Sequence, residues 1–389
     1  MSKLFSRTDQ SVFGHWWWTV DRGLLAAYVA LVAFGVVLVT AASPPVAERI
    51  GLNEFHFIKR HLVVLVPSVI LTFGISLLSP RNVWRFSSLM LIGSILALVY
   101  VLFVGTEIKG AQRWIPVLGF SLQPSEFVKP AFAVSAAWLI ARQKETSGFA
   151  GGRIAAGLFG LIVLLLLLQP DLGMTVVTSC IYGAIIFMAG FPLWIVGIMV
   201  VAGAVGLVGS YFIFHHVQSR IDRFLDPSSG DSYQVQKSLE AFQNGGLFGT
   251  GPGQGTVKLS LPDAHADFIF AVAGEELGFL VTATLVSIFA FILLRGFNRI
   301  MDSNQMFIVL ATGGLLTMLG TQALVHMGSS VSLLPAKGMT LPFISYGGSS
   351  LLSVSITMGM ILALTRRQAK QTIAKGSTIR KKRLKAESV

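Results

Sequence analysis

The chain has 389 residues, of which 53% are hydrophobic and only 12% are charged, and its mean hydropathy is +0.71. Soluble globular domains carry about 25% charged residues, so this composition excludes an ordinary water-soluble protein. The formal net charge of +12 comes largely from a basic C-terminal tail. Such a tail suits an anionic membrane surface and requires no nucleic-acid partner. The single cysteine, Cys180, can form no internal disulfide.

Long apolar runs, bounded by charged residues or by proline and glycine, predict about ten transmembrane helices of roughly 20 residues each. The predicted spans are residues 23–43, 57–78, 84–105, 125–141, 154–169, 172–189, 192–214, 266–294, 305–328 and 341–364. The first run is too long for a signal-peptide core and lacks a small-residue cleavage site before it, so we expect it to remain as a span. The sequence therefore predicts an all-α integral membrane protein.

The distribution of basic residues predicts the orientation. If the segment 1–22 is cytoplasmic, 19 of the 30 Lys and Arg residues lie in cytoplasmic segments, as the positive-inside rule requires. We expect both termini to be cytoplasmic, with residues 23–364 as the membrane domain and 365–389 as a basic tail. The same orientation places 13 of the 18 Asp and Glu residues outside or at the outer membrane edge. Function is therefore sought on the outer face.

Two outer connections, residues 106–124 and 215–265, are longer than turns, and long loops are often functional. In the second, YQVQKSLEAF predicts an amphipathic helix at the membrane interface. The glycine cluster that follows fits neither the dinucleotide nor the Walker spacing, so it predicts flexible turns. Arg220 and Arg223 are one helical turn apart and either share an anionic partner or are simply solvated.

Ionisable residues also occur at the start of the fourth predicted span. Glu126 and Lys129 are three residues apart, which places them on one helix face as an ion pair. Because ionisable groups in a membrane are costly, such a pair often lines a functional cavity, although a purely structural pair is the alternative. Arg113, in the preceding loop, is a further candidate cation.

The stretch LLPAKGMTLPFISYGGSS places a lysine, Lys337, between two prolines near the outer edge. Ser345, Tyr346 and Ser349 follow inside the tenth predicted span. Small residues there are also typical of helix packing. Their combination with Lys337 favours the wall of a cavity.

The stretch HADFIFAVAGEELGF places three carboxylates where a span should begin. With Asp263 as a candidate cap, we expect the eighth span to begin near residue 264 and Asp267 to lie in its first turn at the water boundary. Glu275 lies about two turns deeper and about 80° around the helix, whereas Glu276 falls on the opposite side. These positions predict that only Glu275 can face the same cavity as Asp267 and that Glu276 pairs with another helix.

These motifs together resemble the SEDS family of bacterial cell-wall synthesis. They are GAQRW with QPSEFVK, RIDRFLDP with YQVQKSL and GGLFGTG, HADFIFAVAGEELGF, and LPFISYGGSS, in the family's order and over about residues 20–366. The stretch around Lys337 resembles the family's division branch rather than its elongation branch. His265-Ala266-Asp267 departs from the common HTD, and AFQNGGLFG departs from a small-residue run, but neither change removes an ionisable group.

The resemblance implies an inverting glycosyltransferase that polymerises lipid II into glycan strands at the outer face of the cytoplasmic membrane, at the division septum. A class B penicillin-binding protein and other division membrane proteins would be its partners. Asp267 would be the general base, with Glu275 and Glu276 as supporting acids. The expected substrate-binding residues are Arg113, Trp114, Gln123, Ser125, Glu126, Lys129, His265, Lys337, Ser345, Tyr346 and Ser349. A divalent cation, Mg²⁺ or Mn²⁺, would be shared with the substrate diphosphate, since no dedicated metal cage is visible.

Three other functions were weighed against this hypothesis. The first is a transporter that flips lipid II, which should carry polar groups through the whole depth of the bilayer. The second is the elongation polymerase of the same family. The third is a scaffold, which would not need Asp267 in a span. Because the polar groups crowd one edge, the pattern favours chemistry on one face.

Overall fold

The structure is a computed structural model that describes residues 11–108, 111–117, 119–213, 218, 222, 233–301, 303–335 and 338–367. Some predictions concern residues outside these ranges. They are the roles of Lys337, Arg220 and Arg223 and the character of the basic tail.

The chain divides into two units. The smaller unit contains α1 (Val12–Thr19) and the segment that begins at Arg366. The amide of Arg367 donates to the carbonyl of Thr19 over 2.9 Å, which joins the two pieces.

The larger unit spans Arg22–Thr365 and, in its described residues, is built from eleven α-helices. These are α2 (Arg22–Arg49), α3 (His56–Ser76), α4 (Pro80–Val104), α5 (Pro124–Glu145), α6 (Gly151–Leu168), α7 (Leu172–Met188), α8 (Leu193–Ile213), α9 (Tyr233–Gly245), α10 (Ile269–Met301), α11 (Met306–Ser330) and α12 (Gly348–Leu364). Ten of them correspond to the ten predicted spans, and α9 is the predicted loop helix. The all-α membrane fold is therefore confirmed.

Seven of these helices are long and apolar enough to cross a membrane: α2, α3, α4, α6, α8, α10 and α11. Two more, α7 and α12, are apolar but have only 17 residues each. Of the ten helices that correspond to predicted spans, this leaves α5, which carries Glu126 and Lys129 and is buried along most of its length. It packs against α4, α6, α7 and α11. Its alanine-rich face lets these neighbours approach closely, as is usual between membrane helices.

The eighth span does not begin where the sequence predicted. Asp263 has a φ of +51°, and its carbonyl accepts the amides of Ala266 and Asp267, both over 2.9 Å. These bonds close a turn, so α10 begins only at Ile269. The placement of Asp267 in the first helical turn was therefore wrong, because Pro262 and the left-handed Asp263 favour a separate turn before the helix.

The tenth span also begins later than predicted, at Gly348 instead of residue 341. Phe343 has a φ of +67°, and Pro342 precedes it, so this stretch forms an irregular segment. Gly35 of α2 packs on it, since a Cβ at that position would lie 2.4 Å from the carbonyl oxygen of Phe343. Ser345 and Tyr346 therefore precede the helix, whereas Ser349 lies in its first turn.

The connection 106–124 contains a small antiparallel sheet that the sequence analysis did not predict. Its strands are β1 (Thr106–Ile108), β2 (Ala111–Val117) and β3 (Phe120–Leu122), in the order β1-β2-β3. Gly119, with a φ of +80°, lies in the connection between β2 and β3. Arg60 of α3 donates to the carbonyl of Gly119 and lies 5.0 Å from the ring centroid of Phe120, which joins the sheet to the helices.

The glycine cluster at and after the end of α9 forms turns, as predicted, and part of it packs closely on α10. A Cβ on Gly245 would lie 1.9 Å from the carbonyl oxygen of Gly274, and one on Gly249 would lie 2.2 Å from that of Glu276. The amide of Thr250 donates to the carbonyl of Glu275 over 2.9 Å. Glycines are therefore needed here because the loop backbone approaches the helix backbone.

Candidate active site

Asp267 lies in the turn before α10 with a partly exposed side chain. Its neighbour is Gly338, whose backbone is exposed and has a φ of +62°. A Cβ placed on Gly338 would lie 3.4 Å from Oδ2 of Asp267, an ordinary contact distance, so the carboxylate lies beside the open side of this glycine. The carboxylate therefore lies at a solvent-accessible edge between the turn and the segment that follows residue 337.

That segment is bound to the turn by two residues that the sequence predicted for the site. Ser345 Oγ donates to the carbonyl of Ala266 over 2.7 Å and accepts the amide of Leu341 over 2.8 Å. The amide of Tyr346 donates to the carbonyl of His265 over 2.9 Å. Ser345 and Tyr346 thus hold the backbone on either side of the turn that carries Asp267.

His265 is buried among aromatic rings, with only 4% of its surface exposed. Its ring centroid lies 4.4 Å from that of Phe57 and 5.0 Å from that of Tyr346. Burial lowers the pKa of His265 to about 4, and the charge of Asp263 opposes this shift. His265 is therefore neutral at pH 7, so it supports the turn as a ring and supplies no cation for a phosphate group.

Glu126 and Lys129 are brought together as predicted. Lys129 Nζ lies 2.8 Å from Glu126 Oε2, and the side-chain exposures are 0% and 4%. Lys129 Nζ also donates to Gln322 Oε1 over 3.0 Å, and Gln322 Nε2 lies 3.2 Å from the carbonyl of Thr340. The ion pair is thus connected through Gln322 to the segment that contacts Asp267.

Arg113, on β2, is bound to the turn between α6 and α7. Its Nε donates to the carbonyl of Gln169 over 3.0 Å, and an Nη donates to that of Pro170. Its Nη1 lies 3.9 Å from Oδ1 of Asp171, and 21% of its side chain is exposed. Asp171 also accepts the amide of Met174 over 3.3 Å as the N-cap of α7. These contacts hold the Arg113 side chain on that turn and leave part of it exposed.

Gln123 and Ser349 meet between the sheet and α12. The amide of Gln123 donates to Ser349 Oγ over 2.9 Å, and Gln123 Nε2 lies 3.4 Å from Asp171 Oδ2. Ser125 is buried, and its hydroxyl has no partner among the residues that the structure describes. Trp114 is partly exposed on β2, opposite Thr106. The predicted site residues therefore form one group around Asp267 and a second group around Arg113 and Asp171.

Glu275 is fully buried and binds the loop that follows α9. Its Oε1 accepts from Asn244 Nδ2 over 2.9 Å and from the amides of Thr256 and Val257, each over 2.7 Å. Its Oε2 accepts the amide of Lys258 over 2.9 Å. A carboxylate with four donors fixes this loop on α10.

Glu276 binds the same loop. It forms an ion pair with Lys258 Nζ and accepts the amide of Gly253 over 3.0 Å. Glu276 therefore pairs with another helical element, as predicted, because Lys258 lies in the short 3-10 helix Val257–Leu259. The prediction that Glu275 faces the same cavity as Asp267 was wrong, because its carboxylate binds this loop. The loop folds back over α10 and surrounds both side chains, which positions on a single helix could not indicate.

The described residues do not form a dedicated metal cage. Among them, no three His, Cys, Asp or Glu side chains lie close enough together to hold a metal ion. A divalent cation shared with a substrate diphosphate therefore stays a prediction.

Sequence reasoning missed three polar residues near the site: Asp171, Gln322 and His326. Asp171 follows Gln-Pro at the start of a span, which is a signal for a helix N-cap. Gln322 and His326 are four residues apart inside an otherwise apolar span, and polar side chains there are costly unless paired. Both signals were present in the sequence, but neither identified a contact partner.

A cavity of about 490 Å³ lies at the other end of α5 from Glu126. Its walls include Gln143, Phe149, Arg153 and Tyr182. These residues include no carboxylate, so this cavity does not match the predicted chemistry.

Comparisons with known proteins agree with the motifs. The model of the cell cycle protein family of FtsW, RodA and SpoVE matches residues 22–370. The probable peptidoglycan glycosyltransferase FtsW of Caulobacter vibrioides is 44% identical over 366 residues, which cover 94% of each chain. The protein of the same description from Escherichia coli O6:H1 is 37% identical over 372 residues, which cover 92% of this chain and 89% of the relative.

Solved structures are similar as well. A chain from "Structural coordination of polymerization and crosslinking by a peptidoglycan synthase complex" aligns with a TM-score of 0.74 at 28% identity, over 90% of this chain and 99% of its own length. The Rod shape determining protein RodA of Thermus thermophilus aligns with a TM-score of 0.67 at 28% identity, over 91% and 99%. This chain therefore belongs to the FtsW, RodA and SpoVE family of cell cycle proteins, the SEDS family that its motifs resemble.

Proposed function

We propose that this chain is a peptidoglycan glycosyltransferase that polymerises lipid II into glycan strands during cell division. The observation that carries the proposal is Asp267, a partly exposed carboxylate on a closed turn, beside Gly338. The relatives from C. vibrioides and E. coli are both described as probable peptidoglycan glycosyltransferases, which supports the reaction class.

In the proposed reaction, the 4-hydroxyl of an acceptor GlcNAc attacks the anomeric carbon of a donor MurNAc. The new glycosidic bond forms as the bond from that carbon to undecaprenyl diphosphate breaks, and the configuration inverts. Asp267 accepts the hydroxyl proton as a general base and later releases it to water. The electron pair of the broken bond leaves on the diphosphate.

The leaving diphosphate gains negative charge, so cations near it lower the barrier. We assign this role to Arg113, Lys129 and Lys337. Lys337 immediately precedes Gly338, the residue beside Asp267. A divalent cation held by the diphosphate would neutralise the same charge.

We further propose that the site opens to the outer face of the bacterial cytoplasmic membrane, with both termini in the cytoplasm. The bias of basic residues supports this orientation. A class B penicillin-binding protein is the proposed partner, because the similar solved chain comes from a synthase complex that coordinates polymerization and crosslinking.

The test is a polymerisation assay with purified protein and labelled lipid II, with products separated as a glycan ladder, in the presence and absence of the transpeptidase. We expect ladders from the wild type and none from Asp267→Asn, which keeps the side-chain shape but accepts no proton. Asp263→Asn, in the same turn, is the matched control and should polymerise normally, because asparagine tolerates a positive φ. Full-length ladders from pure Asp267→Asn protein would exclude the carboxylate as the base.

A further inference from the structure

Two side chains of α11, Gln322 and His326, contact the segment that faces Asp267. They are four residues apart, so they lie on one face of the helix, and they are 0% and 1% exposed. His326 Nδ1 lies 2.6 Å from the carbonyl oxygen of Met339, and Gln322 Nε2 lies 3.2 Å from that of Thr340. Because a carbonyl oxygen can only accept, both nitrogens are donors in these contacts.

These donors matter because residues 338–340 lie in neither a helix nor a strand. Met339 is buried, and a buried carbonyl without a donor costs about 1–3 kcal/mol. Met339 directly follows Gly338, which lies beside Asp267. The two hydrogen bonds therefore hold the backbone next to Gly338.

We propose that His326 and Gln322 are positioning residues, which hold the segment that binds the Asp267 turn through Ser345 and Tyr346, and so keep the carboxylate in place. The activity part of this inference rests on the proposed function. Neither residue touches the reacting atoms. His326 is the cleaner residue to test, because Gln322 also accepts a hydrogen bond from Lys129.

The opposite ring nitrogen of His326 gives a further reason to test it. Nε2 is buried and has no hydrogen-bond partner in the part of the chain that the structure describes. One of the two polar atoms of this side chain is therefore unsatisfied among the described residues, which is costly. Asparagine has an amide nitrogen at the same number of bonds from Cβ as Nδ1, so it can make the Met339 contact, and its Oδ1 is then the second polar atom in place of Nε2.

The test compares His326→Leu and His326→Asn in steady-state polymerisation of lipid II. We expect His326→Leu to lower kcat about tenfold, the loss that corresponds to one hydrogen bond of ordinary net strength, with KM changed less than about twofold. His326→Asn should recover kcat to within about threefold, because the donor is restored. Thr312→Val is the matched control on the same helix: its hydroxyl is buried and has no partner among the described residues, so kcat should not change.

A second readout does not depend on activity. Hydrogen–deuterium exchange of the peptide that covers residues 338–346 should be faster in His326→Leu than in the wild type and should return to the wild-type rate in His326→Asn. A wild type that makes no glycan would overturn the proposed function, and the exchange result would still decide the positioning role. Unchanged exchange in His326→Leu, or an asparagine variant as impaired as the leucine variant, would overturn the inference.

Discussion

Lys129 Nζ and Glu126 Oε2 lie 2.8 Å apart inside the helix bundle, and the two side chains are only 0% and 4% exposed to solvent. Removing two charges from water is expensive, and a buried pair offsets that cost only when its geometry is good and further hydrogen bonds are made. Gln322 supplies one such bond to Lys129. The pair is therefore sensitive to the loss of either partner.

We predict that Lys129→Met destabilises the protein by about 3–5 kcal/mol, because Glu126 is left as an unpaired buried charge. The measurement is the free energy of unfolding in detergent. The double variant Lys129→Met/Glu126→Leu replaces the pair with apolar side chains of similar volume, and we expect it to be near wild-type stability.

The double variant also separates stability from catalysis. If Lys129 acts on the substrate diphosphate, lipid II use stays at least about tenfold lower although stability returns. Normal polymerisation by the stable double variant would show that the pair is structural only.

The second prediction concerns Lys337, which lies outside the described residues. If it binds the diphosphate, Lys337→Ala should weaken lipid II use on the order of 10-fold or more, since a charged hydrogen bond is worth roughly 1.5–3 kcal/mol. Lys237→Ala is the control, because Lys237 forms an ion pair with Glu240 at the surface of α9, where such pairs contribute little. Equal activity of the two variants would show that Lys337 does not bind the diphosphate.

The third prediction concerns Glu275 and the loop after α9. Glu275→Gln replaces one acceptor oxygen with a donor, so it cannot satisfy the Asn244 amide and the three backbone amides that the carboxylate binds. We expect faster proteolysis and faster amide exchange in residues 250–258. Glu240→Gln, on the exposed face of α9, should leave both unchanged. If the loop in Glu275→Gln resists proteolysis and amide exchange as well as it does in the wild type, glycine packing alone holds the loop on α10.

Hydrophobic runs and their charged boundaries were enough to predict ten spans and a loop helix, because those features depend on local composition. The Glu126 and Lys129 pair was equally accessible, since helical spacing alone brings the two side chains together. The starts of α10 and α12 were missed because proline and left-handed residues, Asp263 and Phe343, replace the first helical turns with irregular backbone.

The long-range contacts could not be predicted from one sequence. Arg113 contacts Asp171, which is 58 residues away in the sequence, and Lys129 contacts Gln322, which is 193 residues away. No local pattern encodes such pairs. Glu276 shows the same limit, because its partner, Lys258, lies in a loop that returns to the helix.

The fourth prediction tests the orientation. A reporter fused after residue 240, in α9, should be periplasmic, and one fused after residue 300, at the end of α10, should be cytoplasmic. The reason is that 19 of the 30 basic residues lie in segments assigned to the cytoplasm. A cytoplasmic signal from the fusion after residue 240 would place Asp267 on the wrong side of the membrane for this reaction.

The last prediction concerns pH and His265. The pKa of this side chain is about 4 in the folded protein, because it is buried, against an ordinary value of 6.5. Between these values the unfolded chain binds a proton that the folded protein does not, so stability falls as the pH is lowered through this window and is unaffected above it. At pH 5 the loss is about 2 kcal/mol, given that one pKa unit corresponds to about 1.4 kcal/mol.

His265→Phe keeps a ring between Phe57 and Tyr346 but does not titrate. We expect its free energy of unfolding to match the wild type at pH 7.5 and to exceed it by about 2 kcal/mol at pH 5. The other histidines are present in both proteins, so their titration cancels in the comparison. Parallel stability curves for the two proteins between pH 7.5 and 5 would show that His265 does not resist protonation in the fold, and that its ring is more open to water than the aromatic stack implies.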